Sequence, residues 1–100
     1  MREGPGPREL TESERREVLR IHMPQGRITS VPVRRPARLV LLDQVARAFE
    51  PGVRYTEDEV NEVLRRFSAN LVVLRRSLMD EGFMEHDRTR YWRCGGTVDL

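Results

Sequence analysis

Apolar positions along the chain fall mostly at helical spacing, and each helical stretch carries its own start or stop signal. The clearest stripe is Val60, Val63, Leu64 and Phe67, at i, i+3, i+4 and i+7, one face of a helix. Thr56 with Glu59 three residues on forms a capping box ahead of it, and Tyr55 and Val60 are placed for a hydrophobic staple, so a helix is predicted over 57 to 67. The same signature, "TESE" from Thr11 to Glu14, opens a helix over 12 to 22. Val18, Leu19 and Ile21 give that helix a short apolar edge before Pro24 and Gly26 stop it. Leu39, Leu42, Val45, Ala46 and Phe49 predict a core helix over 37 to 49, closed by Pro51-Gly52. A fourth helix, 69 to 81, follows almost without a linker. At about 100° per residue, Leu71, Leu74, Leu78 and Met79 gather on one side of it, and Gly82 is the expected left-handed C-cap.

Beyond Gly82 the pattern shortens to that of strands. "FMEH" and "RYWR" flank "DRT" as a hairpin, 83 to 93, with Tyr91 and Trp92 on opposite sides; Trp92 is assigned to the core rather than to a stacking platform. "RITSVPV", 27 to 33, amounts at best to an edge strand, because Pro32 cannot donate to a ladder. Three helices, the last two closely joined, then a basic hairpin, make a mainly helical α+β pattern. It is that of a winged helix-turn-helix with an extra N-terminal helix and a C-terminal β-hairpin, in which the third helix enters the major groove and the hairpin touches the backbone or minor groove. The expected organisation is one such domain over 11 to 94, between a disordered Gly- and Pro-rich leader, 1 to 10, and a flexible tail, 95 to 100.

Charge refines this picture. All 18 basic residues of the 100 are arginine. Residues 20 to 47 hold six arginines against Asp43, a local +5, while residues 48 to 64 hold Arg54 against five acids, a local −4. One face would then attract a polyanion and another repel it. Within 69 to 81 the two arginines separate by helical phase: Arg75 falls among the apolar positions, whereas Arg76 points away with Val73, Ser77 and Asp80. A buried guanidinium calls for a partner, so Arg75 is expected to be mostly buried and paired with Glu59, Asp43 or Glu62, or with backbone carbonyls, and Arg75→Ala to cost roughly 3 kcal/mol. Arg65 and Arg66, off the apolar stripe near their helix's C-terminus, read as solvated charge favourable to the dipole.

Other function classes find little support. No apolar run approaches the length of a membrane span, and nothing at the N-terminus has the form of a signal peptide, so a cytoplasmic protein is expected. Cys94 is the single cysteine, and neither His22 nor His86 gives it a spaced ligand set; no metal or cofactor is expected. No nucleophile with a base and no paired carboxylates in a pocket are apparent, and "TEDE" is explained by capping, so the chain reads as a non-enzyme.

The succession "MPQGRITSVPVRRPARLVLL", "YTEDEVNEVLRRF" and "LRRSLMDEGFMEHDRTRYW" resembles the prokaryotic family catalogued as domain of unknown function 2087, over about residues 23 to 93. The string Tyr-x-Glu-x-Glu-Val-Asn followed by Leu-Arg-Arg carries the resemblance. Since members of that family stand alone or are joined to transcription-regulator domains, the resemblance implies a role associated with DNA; it brings no catalytic residues. One departure is Asn70, where the family usually has an acid; Asn can still cap the helix, but a salt bridge from that position is lost. Putting pattern and resemblance together, the expected function is DNA binding or transcription regulation through helix 69 to 81 and hairpin 83 to 93. Asn70, Val73, Arg76 and Ser77 would face the bases or nearby phosphates, with Arg88 and Arg90 on the wing. Double-stranded DNA is the expected partner. A protein–protein interaction or dimerisation module, meeting a second copy or a transcription regulator without touching nucleic acid, is the alternative. Against DNA stand Asp80, Glu85 and Asp87, which hold residues 65 to 100 to a net +2.

Overall fold

A computed structural model describes residues 10 to 97; the leader and tail expected at 1 to 10 and 95 to 100 lie mostly outside the described residues. The described chain is a small α+β fold of four helices and a three-stranded antiparallel sheet. Its elements run α1 (Glu12–His22), α2 (Arg35–Ala46), β1 (Arg54–Tyr55), α3 (Glu57–Leu64), α4 (Leu71–Asp80), β2 (Met84–His86) and β3 (Tyr91–Arg93). Among the described residues no helix is long and apolar enough to cross a membrane.

Both predicted capping boxes are closed. Thr11 Oγ1 accepts from the Glu14 N–H and Glu14 Oε1 from the Thr11 N–H; Thr56 and Glu59 repeat the exchange at 3.1 and 2.8 Å. On α3, Val60 and Leu64 are buried and Val63 packs beside them, but the helix ends at Leu64. Phe67, though packed against the core, lies in the tighter turn that follows. Gly82 takes φ 82°, the left-handed geometry expected of it, and the Phe83 N–H reaches back to the Leu78 carbonyl at 2.8 Å.

α2 is the central helix. Val40, Leu41, Leu42, Val45 and Ala46 are all buried, a wider arc than the single stripe read from the sequence, because α1 packs on one flank and α4 on another. Phe49 is fully buried just beyond it and meets the Tyr55 ring edge-on at 5.2 Å. α1 buries no residue completely: Leu19 packs against the core while Ile21 stays exposed.

Three expectations need correction. Residues 27 to 33 form no strand. The Ile28 N–H bonds to the Phe67 carbonyl at 2.7 Å and the Thr29 N–H to the His22 carbonyl at 2.9 Å, so this segment straps α1 to the end of α3. Its Pro32 has no N–H for a ladder and is buried instead. Trp92 is not the residue that closes the core. β3 is the middle strand, with Arg54 and Glu85 flanking Trp92 and with Tyr55 and His86 flanking Tyr91. Alternation puts Tyr91 on the inner face, where it packs against the core, and turns Trp92 to the outer face, under the Arg54 guanidinium at 4.1 Å. Arg75, finally, is half-buried and makes no ion pair among the described residues. Its Nη1 donates to Asn61 Oδ1 at 2.6 Å, so α3 meets it with a neutral amide instead of a carboxylate.

Candidate nucleic-acid interface

α4 turns Leu74 and Leu78 into the core and lays Leu71 and Met79 along its edge. Its opposite side carries Val72, Val73, Arg76 and Asp80, all exposed. The two valines are 61% and 54% accessible, an unusual place for β-branched apolar residues, which lose rotamer freedom in a helix and gain nothing from burial there.

Of the residues predicted to touch nucleic acid, Asn70, Val73, Arg76, Arg88 and Arg90 are exposed and Ser77 is half-buried. Asn70 stands at the N-cap of α4 but does not cap it. With φ −92° and ψ 75° it departs from the extended geometry that aims a cap side chain at the first-turn N–H groups, and it makes no side-chain capping bond. Ser68 Oγ instead accepts the Asn70 N–H at 3.0 Å. A cleft of about 400 Å³ between α4 and β2 is lined by Arg76, Met79, Asp80, Met84, Glu85 and His86. Arg76 therefore shares its surroundings with two carboxylates. Arg88 and Arg90 lie outside that cleft, on the loop of the hairpin.

That loop is shaped by Asp87. Its Oδ1 accepts the N–H groups of Thr89 at 2.9 Å and Arg90 at 2.8 Å, and its own N–H bonds to the Arg90 carbonyl at 3.0 Å. The Thr89 bond first, then that of Arg90, holds the Asp87 carboxyl below its ordinary range, with Arg54 adding a weaker attraction from 3.8 Å. The acid expected to act as a repulsive charge is thus the residue that closes the hairpin's turn. Arg90 donates to the Thr89 carbonyl at 3.1 Å, whereas the Arg88 guanidinium makes no bond with another described residue.

The cationic stretch 20 to 47 is mostly spent within the fold. Arg27 Nη1 donates to the carbonyls of Arg65 and Arg66 at 2.9 and 3.3 Å, capping the C-terminal end of α3. Arg35 binds Glu81 at 2.8 Å, and Arg38 reaches the Val33 carbonyl at 2.9 Å and Glu81 at 3.7 Å. Arg20 pairs with Glu17 and Arg47 with Asp43. Guanidinium groups with no bond to another described residue are those of Arg34, Arg66, Arg76 and Arg88. The local charge count of this segment does not see which of its arginines fold back onto carbonyls and carboxylates of the same chain.

The burial of two charged residues escaped sequence reasoning. Asp43 and Arg93 are buried, 6% and 9% exposed. Asp43 lies on the apolar arc of α2, four residues from Leu39 and three from Ala46, which is a readable signal; Arg93 shares its strand parity with Tyr91, which is a signal only when the register is known. Their partners are Thr97, Arg15 and Arg47 for Asp43, and backbone carbonyls of Phe49, Gly95 and Thr97 for Arg93. Both serve the fold. Among the described residues no group of three or more His, Cys, Asp or Glu side chains is placed to share a metal ion.

No curated protein and no solved structure matches the chain. The family model described as an uncharacterized protein conserved in bacteria, domain of unknown function 2087, matches residues 27 to 93, which takes in every element from α2 to β3 and leaves out α1. The chain belongs to that family.

Proposed function

We propose that this chain is a winged-helix DNA-binding module, with α4 as the helix that enters the major groove and the β2–β3 loop as the wing. The observation that carries the reading is the order of elements: helix, strand, two helices and a hairpin, with the first strand paired to the last so that the sheet runs β1-β3-β2. Two helices joined across a short turn and backed by such a hairpin are the parts from which winged helices present a recognition helix. Two of the four uncommitted guanidinium groups, Arg76 and Arg88, stand on that helix and wing. Arg76 and the wing arginines give phosphate or base-edge contacts, Val73 an apolar contact, and Asp80 and Glu85 limit affinity by repelling phosphate.

The test is retention of a labelled random duplex across a salt series. With Arg76, Arg88 and Arg90 in contact, log K should fall against log salt with a slope of about −3. Asp80→Asn should tighten binding modestly. No retention at low salt removes DNA binding and leaves the exposed Val72 and Val73 as the surface of a protein-interaction module.

A further inference from the structure

A pocket of about 540 Å³ opens between α1, α2 and the segment after β3, away from the cleft of α4 and β2. Its size falls among those of small-molecule sites. Leu39, Val40 and Phe83 supply an apolar floor, with Arg15, Arg35 and Asp43 as charged groups in the wall.

These charges are not equivalent. Asp43 is already engaged on both oxygens: Oδ1 takes the Thr97 N–H at 2.6 Å, and Oδ2 takes the Thr97 hydroxyl at 2.9 Å and Arg15 at 3.5 Å, with Arg47 ion-paired at 3.8 Å. Arg15, by contrast, spends one long bond on Asp43 and has no other described partner, which leaves most of its five N–H donors unused. Its side chain is about one-third exposed, so the guanidinium is only partly screened by water. Arg35, held by Glu81, stands at the first residue of α2, a helix with no side-chain cap and no acid in its first turn. The positive end of that helix therefore faces the same space without a counter-charge of its own. The pocket thus offers donors and positive potential above an apolar floor, and its one lining carboxylate is already engaged by Thr97 and by two arginines.

We infer that this pocket binds a small amphipathic carboxylate, with the acid group on the free donors of Arg15 and the apolar body along Leu39, Val40 and Phe83. An amine would have to compete with Arg15 and Arg47 for the one carboxylate, an alcohol would leave the guanidinium without a charge, and an inorganic phosphate would leave the floor uncovered. The site does not depend on DNA binding.

The experiment is calorimetric titration of the full chain with sodium octanoate below its micelle concentration, beside octan-1-ol and octylammonium chloride. Saturable one-to-one uptake of octanoate is expected, at least tenfold tighter than either comparison, with the methyl signals of Leu39 and Val40 and the ring signals of Phe83 shifting in NMR spectra. Arg15→Gln should weaken octanoate at least tenfold, while Arg16→Gln, an exposed residue outside this pocket, should leave it unchanged. Absence of saturable uptake, equal uptake of octylammonium, or unchanged binding by a folded Arg15→Gln chain overturns the inference. Should Arg15→Gln fail to fold, the three-ligand comparison on the native chain decides alone.

Discussion

The carboxylate of Asp43, in the middle of α2, receives both the backbone N–H and the hydroxyl of Thr97, 54 residues further along, at 2.6 and 2.9 Å. This pair fastens the chain leaving β3 back onto the central helix. Replacing Asp43 with Ala removes both bonds and the attraction for Arg15 and Arg47, and should cost about 2 kcal/mol. Asp43→Asn keeps one acceptor and should lose about half as much. Urea denaturation of the two variants checks the order; equal losses would mean that the acceptor kept in Asp43→Asn contributes nothing.

Arg93 is a buried cation held by carbonyls alone among the described residues: Phe49 at 3.2 Å, Gly95 at 3.0 Å, and Thr97. The planar fork of a guanidinium serves three acceptors on different segments at once, and an ammonium on a flexible stem cannot. Arg93→Lys should therefore be destabilising despite conserving charge, by about 2 kcal/mol, and Arg93→Ala by about 3 kcal/mol. A Lys variant as stable as the native chain in thermal denaturation would exclude this role.

Arg75 and Asn61 form a neutral-acceptor bond, which alters the expected cost of losing it. Arg75→Ala should destabilise by about 1 to 2 kcal/mol, less than the ion pair expected from the sequence would have required. In a double-mutant cycle with Asn61→Ala, the two substitutions should be clearly non-additive. Additive losses would show that the bond is not maintained in solution.

The Asp87 turn supplies a pH dependence. Its folded carboxyl titrates below the ordinary value of 3.8 because it accepts from Thr89 and Arg90. A lowered folded value means that the stabilisation is complete above the unfolded value and is lost as pH falls through the folded one. The hairpin loop should therefore loosen only below about pH 4, and Asp87→Asn should remove that dependence. Amide exchange at Thr89 and Arg90 reads it directly; protection unchanged down to about pH 2 would contradict the assignment.

Elements with local signals are legible in the sequence. Thr11 with Glu14, Thr56 with Glu59, and Gly82 each settle a helix end through bonds within a few residues, and those ends fall where expected. β1 is not legible, because Arg54 and Tyr55 are a strand only by pairing with Trp92 and Tyr91, and two residues have no alternation to detect. Everything that depends on that pairing is hidden with it: the face of Trp92, the burial of Arg93 and the stacking of Arg54. Helical phase separates exposed Arg76 from half-buried Arg75 but does not reveal that the latter's partner is an amide. Charge counting draws attention to residues 20 to 47, whose arginines mostly bind carbonyls and carboxylates of the same chain, and passes over Arg66.

The salt dependence of duplex binding, compared between the native chain and Arg88→Ala, tests the proposed DNA interface most directly. Arg88 is exposed and makes no bond with another described residue, so its loss should leave the fold intact. If the hairpin lies against the phosphate backbone, the variant should bind preferred and scrambled duplexes more weakly by the same factor, with a slope about 1 unit shallower than native. Identical slopes and affinities for the two proteins, or no binding by either at low salt, would contradict a wing on DNA.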